Sequence, residues 1–464
     1  MTVVQHEPIA AIATAVGESA IAIVRISGAG ALQIADKTFR KAGDKNFSFS
    51  TADSHTAHYG FVVDKRGDVI DEVMAIVYKS PRSFTMEDSV EFNCHGGVIV
   101  TQTVLETLLD AGCRLAEAGE FTRRAFLNGR IDLAQAEAIG EMIHAKTRAA
   151  YRAALSHMKG DLSKKLSALR EDLLNACSML ELELDFGEED VEFQSRDELV
   201  RKMSELKVQL TRLASSFMFG KFVQEGVRTA IVGKPNAGKS TLLNALLGKD
   251  RAIVSDVAGT TRDYIEESFV SDGVLFKLID TAGLRTTADD IEGEGIRRSY
   301  EKIEEADLIL YLIDASIPVD PSEIKAVEAM REKNGDAKFL LVLNKSDRQL
   351  TNAVQQIETV EQVKISALTR EGISELKQKM TSLALGAETL ADGSVMLTNL
   401  RHYEAIRNAL QSLENAEVQV AHHAPTELIA SDLRDALYHI GTITGNVSTD
   451  DILNNIFAKF CIGK

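Results

Sequence analysis

The sequence predicts a multidomain chain: an α+β domain at the N-terminus, an α-helical bundle, and an α/β domain with a mainly parallel sheet inserted into that bundle. Three observations predict it. Short β-like runs punctuated by glycine fill residues 1–125, helical periodicity dominates 126–221 and 388–464, and strand-like runs alternate with helical ones over 222–387.

In the first region "AIAIVRISG", "HYGFVVD", "DEVMAIVYKS" and "SVEFNCHGG" read as strands, with "GALQIADKTF" and "GVIVTQTVLETLLDAG" as helices between and after them. In 126–221, "IDLAQAEAIGEMIHAKTRAAYRAAL" places Ile131, Ala134, Ala138 and Met142 at spacings of 3 or 4. Leu162, Leu166, Leu169, Leu173, Ala176 and Leu180 keep a 4-3-4-3-4 spacing, which puts all six on one stripe, as in an antiparallel bundle. The acidic "ELELDFGEEDVEF" reads as a solvated loop or helix end, because its oxygen spacing does not match an EF-hand loop. Over 222–387, "RTAIVG", "LFKLIDTAG", "ADLILYLIDAS", "KFLLVLNKSD" and "VEQVKISAL" are short apolar runs bounded by turn residues, the pattern of a buried parallel sheet. Past 388, Leu433, Leu437 and Ile440 share a helix face, and Ser448 is the expected cap of the last helix, with Asp451 three residues on. The two helical regions are expected to pack together, which domain insertion permits when the inserted unit's ends lie close.

At 464 residues the chain is long enough for about three domains. No run of 18 apolar residues is present, so no membrane span is expected, and the start lacks the basic region of a secretory signal. Cys94, Cys113, Cys177 and Cys461 are far apart and form no CxxC pair, which argues against a zinc site or disulfide framework and for a cytoplasmic location. The net charge of −17 opposes bulk attraction of nucleic acid, so RNA contact would need a local patch. Arg123, Arg124, Arg130, Lys146, Arg148 and Arg152 are the candidates, their alternative reading being solvated helix faces.

"GKPNAGKS" (Gly233 to Ser240) follows a strand and opens a helix, as a phosphate-binding loop requires. Gly233 and Gly238 let backbone N–H groups turn inward, Lys239 supplies a charge at the β and γ phosphates, and Ser240 supplies a Mg²⁺ ligand. Asn236, Ala237 and Thr241 complete this stretch. "DTAG" (Asp280, Thr281, Ala282, Gly283) follows a second strand and belongs to the Mg²⁺ and γ-phosphate shell. "NKSD" (Asn344, Lys345 and Asp347) follows another. The Asp347 carboxylate can accept from N1–H and the exocyclic amine of guanine, where adenine offers the reverse pattern, so the site selects GTP. "SAL" (Ser366, Ala367, Leu368) closes the base pocket.

Ras-like enzymes place a water-orienting Gln after "DTAG"; here Leu284 stands there. Arg262 and Arg285 are near in sequence but form no obvious arginine finger. Asn236 in the phosphate loop and the oxygen-rich first switch "SDVAGTTRD" (Ser255, Asp256, Val257, Ala258, Gly259, Thr260, Thr261 and beyond) point to a bound K⁺ in place of a guanidinium. Glu292 is a candidate to orient the attacking water through another water, or a solvated switch residue.

These motifs, with "GEFTRRAFLNGRIDLAQAEAI", "HGG" and the terminal "FCIGK", make the whole chain resemble the MnmE (TrmE) family of tRNA-modification GTPases. The resemblance implies an inserted Ras-like G domain, an N-terminal folate-binding-like domain that dimerises, and a flavin-dependent, FAD-carrying partner, MnmG, in a heterotetramer or larger assembly. The implied activity adds an aminomethyl-type (carboxymethylaminomethyl) group to the wobble uridine of certain tRNAs from a tetrahydrofolate one-carbon unit, carried as the 5-formyl or methylene form. It carries Arg25, Glu91, Arg130 and Lys464 to the folate site, Asn236, Ser255, Val257 and Thr260 to K⁺, Ser240 and Thr261 to Mg²⁺, and Glu292 to catalysis. The tail "FCIGK" has three readings: a frayed end, a poor prenylation box, or a segment packed in a pocket with Cys461 as a nucleophile or redox group. Competing functions are a regulatory switch that binds ribosome or membrane, and a structural GTPase; neither needs a folate-like domain or the Cys tail.

Overall fold

The computed structural model of the protein describes residues 6–185, 196–248, 267–279, 305–333, 335, 337–349, 361–385 and 395–464. In chain order the first elements are β1 Ile9–Ile12, β2 Ser19–Ser27, α1 Ala31–Thr38, β3 Phe39–Lys41, β4 Thr56–Val63, β5 Val69–Tyr78, β6 Ser89–Gly96, α2 Val98–Asp110, β7 Arg114–Leu115 and α3 Glu120–Leu127. Helices α4 Leu133–His144, α5 Arg148–Met158, α6 Asp161–Asp185 and α7 Arg196–Glu225 follow. Then come β8 Val227–Val232, α8 Lys239–Leu247, β9 Glu267–Ser271, β10 Val274–Ile279, β11 Leu308–Asp314, α9 Pro321–Lys333, β12 Lys338–Asn344, β13 Gln362–Lys364 and α10 Ile373–Leu385. The chain closes with α11 Leu400–Ala421, α12 Thr426–Thr444 and α13 Asp450–Phe457. Two compact units result, one of residues 1–140, 158–167 and 440–464, the other of 141–157 and 168–439.

The first unit is organised by a seven-stranded sheet in the order β3-β4-β5-β6-β2-β1-β7, antiparallel but for the β1–β7 pair. Strand alternation separates its faces. Val24, Ile26, Val90, Phe92, Val73 and Val77 point into a core shared with α1 and α2. The residues between them, Arg25, Glu91 and Ile76, fall in register across β2, β6 and β5 on the other face. That face leaves Ile21, Tyr59 and Met74 exposed. A smaller core joins Leu133 and Ala136 of α4 to Leu453, Ile456 and Phe457 of α13.

One buried ion network ties this unit together. The Arg124 guanidinium, 4% exposed, reaches Glu87 (3.2 Å) and Glu120 (2.7 Å) and donates to the Glu7 carbonyl (3.0 Å). Glu87 also accepts from the Ser27 hydroxyl (2.9 Å). Burial pushes the Glu120 carboxyl up, but hydrogen bonds from Arg114, the Glu117 N–H and Arg124 outweigh it and hold it down at about 2. Arg124 is therefore not part of an RNA-facing patch: its charge is spent on two carboxylates inside the fold. Lys146, Arg148 and Arg152 do lie exposed, around the start of α5.

The second unit holds a six-stranded sheet, β13-β12-β11-β8-β10-β9, parallel but for the β9–β10 hairpin. Its strands are buried on both faces, as their continuous apolar runs require. Helices from either side of this sheet in sequence pack on each other. Phe217 of α7 stacks on Tyr403 of α11 at 4.4 Å, and Lys207 pairs with Glu417 at 2.9 Å. Gly220 permits the approach: a Cβ there would stand 2.0 Å from the Leu397 carbonyl oxygen. All six residues of the leucine stripe are buried. Two sequence expectations need adjustment. Leu437 is only half-buried, Ala436 taking the inward position beside Leu433 and Ile440. The last helix is capped by Thr449, not Ser448: its hydroxyl accepts the Ile452 N–H, because Thr449 keeps extended backbone one residue closer to the first turn.

Candidate functional site

The phosphate loop sits between the end of β8 and the start of α8 in the second unit. Gly233 and Gly238 have φ of 152° and 99°. A Cβ on the first would meet the Leu312 carbonyl oxygen at 2.3 Å, and on the second Asn344 Nδ2 at 2.3 Å. The loop therefore packs against β11 and Asn344 too closely to admit a side chain at either position, and both glycines hold a backbone turn that L side chains rarely adopt. Lys239 Nζ arches back to the carbonyls of Gly233 (2.7 Å) and Lys234 (3.0 Å), and burial lowers its ammonium pKa, which favours exchange of these neutral acceptors for an anion. Asn236 stands at φ 64°, a left-handed conformation that Asn tolerates better than most residues.

Asn344, at the end of β12, joins this loop to the loop that follows β13. Its Nδ2 donates to the Ala237 carbonyl (2.8 Å), and its Oδ1 accepts the Ala367 N–H (2.9 Å). Lys345 pairs with Asp314 at the end of β11. Asp347 is exposed, and a hydrogen bond from Ser366 holds its carboxyl below the usual range. It is ionised at neutral pH, as an acceptor for two guanine donors must be. Asp347→Asn turns one acceptor into a donor: affinity for GTP is expected to fall about 10–100-fold, with xanthosine nucleotides now preferred, in a nucleotide competition assay. Unchanged guanine preference would place the base elsewhere. Residues 255–262, 280–285 and Glu292 lie outside the described residues.

A second site lies in the first unit: a cavity of about 680 Å³ lined by, among others, Arg25, His55, Tyr78, Phe84, Glu91 and Arg130. Arg25 Nε and Nη2 both reach Glu91 Oε1 at 2.7 Å, and the Tyr78 hydroxyl donates to Glu91 Oε2 (3.2 Å). Two cations approach Phe84, its ring centroid 5.4 Å from the Arg25 guanidinium and 4.8 Å from that of Arg130. Burial, with the Arg25 charge second, lowers the Arg130 pKa. Two guanidiniums against one carboxylate, beside aromatic faces, fit a flat ring system with an anionic tail. The family resemblance implies Arg25, Glu91, Arg130 and Lys464, of which the fold brings the first three together; Phe84 and Tyr78 carry no signal that single-sequence reading uses.

Cys461 and Lys464 do not line this cavity. The tail is nevertheless seated. Ile462 bridges Ala118, the Cys461 carbonyl accepts the Gly119 N–H (3.4 Å), and the Lys464 carbonyl accepts the Phe121 N–H (3.1 Å). Gly463, at φ 95°, lies so close to Ile12 that a Cβ would be 2.2 Å from its carbonyl oxygen. The thiol of Cys461 remains exposed, whereas Cys94, Cys113 and Cys177 are buried, and burial pushes their thiols up to about 11, 12 and 11.

A family model described as "GTP-binding protein TrmE N-terminus" matches residues 8–130, and one described as "MnmE helical domain" matches 133–461. A "tRNA modification GTPase MnmE" of Chlorobaculum tepidum is 55% identical, the match covering 99% of this chain and 98% of that protein. One from Salinibacter ruber is 46% identical over 99% of this chain and 100% of that protein. Among solved structures, the G domain of the T. maritima FeoB iron transporter is 28% identical, covering 34% of this chain and 98% of that chain with a TM-score of 0.25. No helix among the described residues is long and apolar enough to cross a membrane.

Proposed function

The chain belongs to the MnmE family of tRNA modification GTPases, and from that premise we propose that it is a potassium-activated GTPase working with a flavin-dependent MnmG-type partner. Together they would attach a carboxymethylaminomethyl-type group to the wobble uridine of certain tRNAs, the one-carbon unit coming from a tetrahydrofolate derivative held in the cavity of the first unit. GTP hydrolysis in tRNA modification is the family's activity.

The observation that carries it is the pairing, in one chain, of a guanine-nucleotide loop with a separate cationic, aromatic cavity. A GTPase that only switches has no use for the second. In it, Arg25 and Arg130 would hold the anionic part of the folate while Phe84 and Tyr78 flank its ring. Mg²⁺ would be held by Ser240 and Thr261, and K⁺ by Asn236, Ser255, Val257 and Thr260. When bound, the alkali cation would supply the positive charge that the sequence, with Leu284 after "DTAG" and no obvious arginine finger, does not assign to a side chain. Glu292 is assigned to orienting the attacking water, and Cys461 to a chemical role in the modification. The exposed apolar sheet face of Ile21, Tyr59 and Met74 supports a homodimer through the N-terminal domain.

The test is mass spectrometry of tRNA nucleosides from cells lacking this chain, complemented by wild type or by Arg130→Ala. Arg130→Ala is expected to lose wobble modification by at least about tenfold, the scale of one charged hydrogen-bonding group, before it loses GTP turnover. Full modification by that variant would remove the cavity from the reaction.

A further inference from the structure

Helix α3 touches both the cavity and the tail. On the cavity side the Phe121 ring lies 5.5 Å from the Arg25 guanidinium. Arg124 pairs with Glu87, Asn128 Nδ2 donates to the Thr85 carbonyl (2.8 Å), and Arg130 Nη1 donates to the Phe84 carbonyl (2.9 Å). Residues of α3 and its C-terminal turn thus fix the wall formed by residues 83–87. On the tail side, Gly119 and Phe121 donate their N–H groups to Cys461 and Lys464. A Cβ on Gly119 would stand 2.7 Å from the Phe457 carbonyl oxygen, so the approach is tight. Phe121, fully buried, gives its backbone to the tail and its ring to Arg25.

A two-turn helix packed this closely moves as one piece. We propose that α3 couples the two: an occupant that fixes Arg25 and Arg130 tightens the seating of the Cys461-bearing tail, and unseating the tail weakens the occupant. Coupling of this kind is reciprocal, the same factor acting in both directions, and typically amounts to about 5–150-fold. The occupant is the tetrahydrofolate derivative of the preceding section, and the inference rests on that reading for its ligand.

The experiment uses the full chain and 5-formyltetrahydrofolate. Calorimetry gives its affinity, and amide hydrogen exchange follows Gly119 and Phe121, whose N–H groups report tail seating directly. Saturating ligand is expected to slow exchange at both amides about fivefold or more. Gly463→Ala, which forces the tail off Ile12, is expected to speed that exchange and weaken the ligand by a matching factor, with GTP turnover unchanged. Ligand that binds without slowing these amides overturns the coupling, as does wild-type affinity in a Gly463→Ala chain whose tail is seen to exchange freely. Failure of the wild-type chain to bind the ligand would instead overturn the folate reading. The coupling is then decided in the free protein by Arg25→Met, which should speed Phe121 exchange severalfold; an unchanged rate would refute it.

Discussion

Replacing KCl by NaCl is expected to slow GTP turnover about 10²–10³-fold, the cost of removing one positively charged or donor group from a developing oxyanion. Ras-like hydrolysis relies on a glutamine and an arginine finger, the latter contributing about 10³–10⁵. Leu284 replaces the first, and the sequence offers no obvious source of the second. Sodium is smaller than potassium and fits a site of fixed oxygens less well. The residue to change is Asn236, and the structure dictates how. At φ 64° an alanine there would add backbone strain to the loss of the amide. Asn236→Gly removes the amide and keeps the backbone free. Its turnover should become slow and alike in both salts while GTP affinity changes much less. Equal wild-type rates in KCl and NaCl would remove the cation from the mechanism.

Arg124→Met is expected to destabilise the first unit by about 3–5 kcal/mol, the penalty for stripping one partner from a buried ion pair. Glu87 is 1% exposed and Glu120 10%, so neither carboxylate can recover its lost partner from water. Arg124→Lys should recover only part of this, because three nitrogens of the guanidinium serve two carboxylates and a carbonyl at once. Removing charge on both sides, as in Arg124→Met with Glu87→Gln, should cost less than the single change. Urea unfolding followed by hydrogen exchange in β1 to β6 measures this. Acid should act on the same network. The Glu120 pKa is depressed in the fold, so its contribution is complete above its ordinary value near 4.5 and is lost as pH falls toward about 2. A loss under about 1 kcal/mol for Arg124→Met would mean that the network is hydrated.

Most of the secondary structure was legible because it follows period. Every long strand and the leucine stripe lay in runs whose spacing leaves one reading. Spacing does not reveal β1, β3, β7 or β9: three of them have four residues or fewer, and β9 is a polar-edged hairpin arm. The nucleotide loops were legible because backbone chemistry restricts them to glycine, lysine and asparagine in fixed order. The cavity was legible only through resemblance. Arg25, Glu91 and Arg130 are 66 and 39 residues apart in sequence, and it is strand register plus the α3 turn that brings them together. The burial of Arg124 is hidden for a related reason: two adjacent arginines look alike in sequence, and only the helix phase sends the second into the interior.

The double hydrogen bond of Asn344 has a kinetic consequence. A single amide spans the loop proposed to hold the triphosphate and the loop proposed to read the purine, so neither can loosen without loosening the other. Dissociation of spent nucleotide should then be one concerted event with a steep temperature dependence, and Asn344→Ala should shorten the residence of GDP even though its side chain need never meet the ligand.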